Sequence, residues 1–412
     1  MKIETKNKTI WLVLLLLFLS LNGSAQQLEL LIQEALENNP EIMNFDLQYN
    51  IASQKIEEVN VLPNSEIGAG YFVSEPETRT GAQRFKVSAR QMIPWFGTIT
   101  ARENYALALA DTKYEDIVIA KRKLVASVSR SYYNLYALKA KEKVLMENIE
   151  LLKTYETMAL TSVEVGKASA VDVLRLQMRR NEMIQLKEII AENIISEQTR
   201  MNKLLNRDKD VPLDRVVELS IPSDTEILTA DNLELHPELL KYDKLYESVV
   251  QSELLNQKES SPIIGIGLDF IAVSERPDMN FVDNGKDILM PMMSVSIPVF
   301  NKKFKSRSAQ NNLKQQAINY QRKDRRNKLE TALSVAIGNR NSAKISFDTQ
   351  NKNLEQARNA ESILIRNYET GTIDFNDILD VQELQLNFQI GKIESIKSYF
   401  TETTIINYLI AK

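Results

Sequence analysis

Asp172-Val173-Leu174-Arg175-Leu176-Gln177 and Asp377-Ile378-Leu379-Asp380-Val381-Gln382 are one stretch written twice, and each stands six residues after a glycine, Gly166 or Gly371. Working outward, Ile93-Pro94-Trp95-Phe96 is answered by Ile297-Pro298-Val299-Phe300, and Ile67-Gly68-Ala69-Gly70 by Ile264-Gly265-Ile266-Gly267. Asn39-Pro40 is answered by His236-Pro237, and the offset between copies drifts only from 197 to 205. A repeat of this length is a duplicated half-domain and not a solenoid unit, which predicts a fold with internal two-fold pseudo-symmetry.

Residues 1–25 stand outside the repeat. Lys2, Lys6 and Lys8 precede an apolar run from Ile10 to Leu21, and Asn22-Gly23-Ser24-Ala25 supplies small residues ahead of Gln26. This reads as a secretory signal peptide with cleavage after Ala25, the run being too short for the roughly 20 residues of a membrane-spanning helix. Its removal takes the formal charge from −4 to −6, which offers no basic surface for nucleic acid. With no cysteine there is no disulfide framework, thiolate metal site or lipid-acceptor thiol.

The remainder divides into a first repeat over 26–206, a linker over 207–235 with Pro212 and Pro222, and a second repeat over 236–412. Each repeat reads as helix, two strands, very long helix, returning helix. Phe85, Val87 and Ala89 alternate with Arg84, Lys86, Ser88 and Arg90, and Ile264, Ile266, Leu268 and Phe270 alternate with Gly265, Gly267 and Asp269. Leu289, Met293, Val295 and Ile297 face away from Met292, Ser294 and Ser296, while a weaker strand runs from Glu66 to about Ser74. Strands of about ten residues have the length that crosses a bilayer.

Neither the stretch between Gly97 and Gly166 nor that between Asn301 and Gly371 contains a proline. Leu124, Val128, Tyr132, Leu135 and Leu138, then Leu145, Ile149 and Leu152, keep the spacing of a packed helical seam. A helix of that length would reach about 100 Å at its 1.5 Å rise per residue. The second rod is more polar, with Asn311, Asn312, Gln315, Gln316, Asn319, Gln350, Asn351, Asn353 and Gln356 interrupting its seam, as a wet lumen would require. Glycine suits the position just past a helix end, and Ser169 or Asp374 is placed to cap each returning helix.

Taken together, the duplicated Asn-Pro helix, the strands closing on Gln91-Met92-Ile93-Pro94-Trp95-Phe96-Gly97, the long rod, the Gly166 turn and the Asp172-Val173-Leu174 helix resemble a TolC-type outer-membrane efflux channel over essentially the whole mature chain. The resemblance implies a mainly α fold with a membrane β-barrel portion: a homotrimer whose three sets of four strands close a 12-stranded barrel, continued by an α-helical tube into the periplasm. Strand count agrees, since four strands cannot close alone and an open edge is not tolerated in lipid. It also implies an acidic constriction at Asp377 and Asp380, with Asp374 beside them, and adaptor docking at the tips Val165, Gly166, Lys167, Thr370, Gly371 and Thr372. The basic latch residue of better-known members is replaced here by Ile373.

Trp95, Phe96, Phe300 and Phe304 stand where strands give way to rods, the place for an aromatic belt or for plain junction packing. Met290, Met292 and Met293 invite a soft-metal reading, but strand alternation sends Met293 to the opposite face from the other two. His236, the only histidine, reads as a cap or surface residue. The cluster Lys302, Lys303, Lys305 and Arg307 reads as a solvated face, or as a contact with inner-leaflet headgroups. No nucleophile with a partner histidine and no phosphate-cradling loop is present, so the expectation is a channel without cofactor, and not an enzyme. The expected partners are two further copies, outer-membrane lipid, a periplasmic adaptor (membrane fusion) protein and an inner-membrane efflux pump. The alternatives are the outer-membrane channel of a type I protein secretion system and a non-pore periplasmic coiled-coil scaffold.

Overall fold

The computed structural model describes residues 23–410, save 167–168, 214–217, 223–229, 279, 301, 371 and 374. The signal peptide expected over 1–25 therefore lies outside the described residues up to position 22, and the first described helix begins at Gly23. The elements are α1 (Gly23–Asn38), α2 (Pro40–Val59), β1 (Glu66–Tyr71), β2 (Glu77–Thr78), β3 (Gly81–Ile93), α3 (Thr98–Glu164) and α4 (Ala170–Leu204). A 3₁₀ turn (Ala230–Leu235) leads into α5 (Pro237–Glu259), β4 (Ile263–Val273), β5 (Ile288–Ser296), α6 (Lys302–Glu369) and α7 (Phe375–Ile410).

The order follows the duplication, with two departures. The opening helix of the first repeat is two helices, broken at Asn39-Pro40, because proline is pre-organised for a first helical position and cannot sit inside one. The weak strand from Glu66 ends at Tyr71 and resumes as the two-residue β2, both limbs pairing with β3. Pro76 stands in the gap; it has no amide to donate to a ladder.

The chain forms two compact units. One comprises residues 45–117 and 237–325 and holds the sheet, of order β1-β3-β4-β5 with every neighbour antiparallel. The register puts Ile67, Ala89, Leu268 and Pro291 in one row, and Gly70, Lys86 and Ile271 in another, so one face is apolar and the other is mostly glycine, serine and charge. The apolar face is the bare one. Ile67 is 80% exposed and Met293 73%, while Asp269 on the opposite face is fully buried. Among the described residues β1 and β5 each have a sheet neighbour on one side only.

In the same unit α5 is clamped to the first turns of α6 by polar contacts. Asn256 Nδ2 donates to the Phe304 carbonyl and to Ser308 Oγ, both at 3.0 Å. Glu253 accepts from Ser308 Oγ at 2.6 Å and Asn311 Nδ2 at 2.9 Å. Those donors hold the Glu253 carboxyl below its usual range against the opposing effect of burial. Asn311, expected to face a wet lumen, is instead buried, because the Glu253 carboxylate satisfies it.

The other unit comprises the N-terminal segment to residue 44 with residues 118–236 and 326–412. An apolar cluster in it joins Leu145, Ile149, Leu152, Tyr155 and Ala159 of α3 to Val173, Leu176 and Met183 of α4 and to Phe375, Ile378 and Leu386 of α7. The predicted α3 seam is buried from Leu124 through Leu152, apart from Leu138, which is half-buried. Pseudo-symmetry reaches single bonds. Asn39 Nδ2 donates to the Leu204 carbonyl at 3.0 Å, and His236 Nε2 lies 3.2 Å from the Tyr408 carbonyl, so the residue before each proline ties down the end of a returning helix.

Candidate functional site

At the first helical turn-around, α3 ends at Glu164 and Gly166 adopts φ +71°, with its amide on the Val163 carbonyl at 3.0 Å. A Cβ there would meet no atom within 4 Å, so it is the backbone conformation and not crowding that selects glycine. Ser169 then caps α4 in a reciprocal box. Its hydroxyl accepts from the Val171 amide at 3.2 Å, and Asp172 Oδ2 accepts from the Ser169 amide at 3.2 Å.

The second turn-around uses hydroxyls. Thr370 Oγ1 and Thr372 Oγ1 both donate to the Asn367 carbonyl at 2.8 Å. Val165 and Thr370 are exposed; Lys167, Gly371 and Asp374 lie outside the described residues.

Phe375 and Ile378 anchor the first turn of α7 in the core, Phe375 meeting the Tyr368 ring at 5.0 Å and the Tyr155 ring at 5.7 Å. Asp377 and Asp380 are exposed on the side of α7 away from these anchors. The duplication thus assigns different work to equivalent acids: Asp172 is buried in a cap, whereas Asp377 is held at the surface. Ile373 packs against the core cluster and supplies no charge. Arg175, the counterpart of Asp380, reaches Asn376, and Arg179 pairs with Glu383 at 3.3 Å, stitching α4 to α7.

A buried polar ladder joins α3, α6 and α7. Tyr155 Oη donates to Glu361 Oε1 at 2.5 Å, Gln385 Nε2 to Glu361 Oε2 at 2.8 Å, and Gln382 Nε2 to Asn148 Oδ1 at 2.6 Å. Burial, and then the Glu361 carboxylate, push the Tyr155 hydroxyl far above its ordinary value, so it stays a donor at every physiological pH. Sequence reading missed this ladder because its members are distant in the chain and share no motif.

It also missed an exposed apolar line on α4, Val171, Leu174 and Met178, whose helical spacing was the available signal. His236 is no surface residue: it is buried, with its ring 5.3 Å from that of Tyr408.

At the sheet end Phe96 and Phe300 are exposed, Phe300 at 92%, while Trp95 and Phe304 line a cleft. On the sheet's polar face Lys86 pairs with Asp269. Met292 stands opposite Gly267 and Met92 opposite Gly265, so Met92 joins Met290 and Met292 on the face opposite Met293. Among the described residues no group of three histidine or carboxylate side chains is placed to hold a metal, and no helix is long and apolar enough to cross a membrane.

Residues 31–186 match the family described as outer membrane efflux protein. No curated protein matches the chain. Solved structures share its fold, CusC, VceC and MtrE among them. CusC, from a study of folding and transmembrane channel formation, is 13% identical with a TM-score of 0.78, over 93% of this chain and 92% of that one. VceC, the outer membrane protein of Vibrio cholerae, is 14% identical with a TM-score of 0.74, over 94% and 97%. The open-state outer membrane channel MtrE of Neisseria gonorrhoeae is 15% identical with a TM-score of 0.72, over 93% and 88%.

Proposed function

We propose, from the premise that this chain has the fold of outer membrane efflux channels, that it is the passive exit duct of a tripartite efflux system. Three copies close a 12-stranded barrel in the outer membrane, and their helices form a tube in the periplasm. The duct spends no energy. An inner-membrane pump, joined through a periplasmic adaptor, drives small toxic compounds or metal ions into it.

One observation carries this reading: the sheet presents its apolar face bare and both its edges open. In water that arrangement invites aggregation, whereas in a bilayer, closed by further copies, it satisfies both the apolar surface and the backbone. A scaffold without a pore has no use for such a face.

The exposed pair Asp377 and Asp380 forms the constriction, six carboxylates around one aperture in the trimer, and Ile373 leaves it without a cationic latch. The tips at Val165–Gly166 and Thr370–Thr372 receive the adaptor, together with the bare line Val171, Leu174 and Met178. Planar-bilayer recording of the detergent-purified protein tests the reading. A defined conductance blocked by a trivalent cation, with block relieved in Asp377→Asn/Asp380→Asn, is expected; unchanged block would remove these residues from the constriction, and absence of any conductance would remove the duct.

A further inference from the structure

In the unit that carries the sheet, the helices repeat the order of the strands. Along the chain α2 leads into β1, β3 into α3, α5 into β4 and β5 into α6. Side-chain contacts join the same neighbours. The Tyr49 ring of α2 lies 5.8 Å from the Tyr114 ring of α3, and Lys244 and Lys241 of α5 donate to Asp111 and Asp116 of α3 at 3.0 and 2.5 Å. Arg322 of α6 donates to Asp243 of α5 at 2.7 Å. The helical layer therefore runs α2-α3-α5-α6 and ends at α2 and α6, as the sheet ends at β1 and β5.

Both terminal helices turn large apolar side chains away from this layer. On α2, Leu47 is 61% exposed and Ile51 70%, one turn apart, whereas Tyr49, which meets α3, is half-buried. On α6, Leu313 is 65% exposed and Tyr320 75%, two turns apart, with Ala309 and Ala317 exposed on the same stripe. Asn311, which meets α5, is buried on the opposite side of that helix. The contacts also form one row, from Tyr49 through Tyr114 and the Asp116–Lys241 pair to Asp243 and Arg322. Leu47 and Ile51 flank one end of this row, and Tyr320 stands within a turn of the other.

Continuity with the sheet says what covers these lines. When one copy's β5 edge meets the next copy's β1 edge, the helix that follows β5 is brought beside the helix that precedes β1. We infer that α6 of one copy packs antiparallel against α2 of the next, with Tyr320 seated between Leu47 and Ile51 of that next copy as a knob in a helical hole. The occupant of each apolar line is thus a second copy of this chain, in a head-to-tail contact that closes a ring. The inference rests on the channel reading and adds to it which helical surfaces meet.

Disulfide trapping in outer-membrane fractions tests this, and because the chain has no cysteine every bridge is an engineered one. Ile51→Cys is combined with Leu313→Cys in one variant and with Tyr320→Cys in another. At least one pair should give, on mild oxidation, a disulfide-linked ladder ending at three, since a bridge needs Cα atoms within about 7 Å. The single variants should give none. Leu107→Cys/Leu313→Cys should also give none, because Leu107 is exposed on α3, an inner member of the layer. No bridge from either α2–α6 pair, or an equal ladder from the Leu107 pair, would overturn the proposal. A lysine-reactive cross-linker separates that failure from a deeper one: a ladder of three would leave the channel reading standing without this seam, and a ladder stopping at one would sink both.

Discussion

Asp269 shows how much a single side chain depends on its surroundings here. It is fully buried on the polar face of the sheet, and Lys86, two strand positions from Ser88, is the cation paired with it. Removing one member of a buried pair leaves an uncompensated charge and costs about 3–5 kcal/mol, whereas replacing both is often close to neutral. Lys86→Met should therefore lower the thermal stability of the detergent-solubilised protein sharply, and adding Asp269→Asn should restore most of it. A double variant no better than the single would mean that the two side chains are not energetically coupled. The same dependence explains what single residues disclosed in the sequence. Gly166 announced its turn because glycine accepts a left-handed backbone at no steric cost. Asn311 misled because polarity on a helix reads as solvent until the carboxylate that satisfies it, Glu253 on a neighbouring helix, is known.

For whole elements the legible signal was alternation. Val87, Ala89, Ile266 and Leu268 were assigned to one face from sequence alone, and the register β1-β3-β4-β5 puts Val87 opposite Phe270 and Ala89 opposite Leu268. The long helices were legible from absent prolines and, in α3, from an apolar seam. What escaped was interaction across elements: the ladder Tyr155–Glu361–Gln385 and the Met92 side of the methionine face both depend on neighbours that no local pattern encodes. The exposed face makes a sharp prediction. A charge on it at the bilayer midplane costs about 2–4 kcal/mol per copy, while the polar face tolerates charge. Leu268→Arg should abolish assembly into a detergent-resistant oligomer in outer-membrane fractions, whereas Ser88→Arg should assemble normally and change single-channel conductance. Equal tolerance at both positions would mean that the bare face does not meet lipid.

For the molecule as a whole, duplication is the feature that governs both ends. It gives two turn-arounds, two tethered helix ends at Asn39 and His236, and two hairpins contributing to one sheet. Divergence between the copies then places a capping acid in one and an exposed acid in the other. Chemical cross-linking of the purified protein is expected to give a ladder that stops at three, and a ladder stopping at one would remove the shared barrel.

The direction of the edge strands bears on that number. Each step from β1 through β3 and β4 to β5 reverses the chain, so the two edges of one copy run opposite ways. When one copy's β5 meets the next copy's β1, the seam is antiparallel, the same kind of seam as every one inside the copy. Parity is satisfied for any number of copies, and hydrogen bonding at the seam cannot count them. On the proposed reading the stoichiometry then falls to the packing of the long helices between copies, so variants that miscount should arise in α3 and α6 and not in the strands.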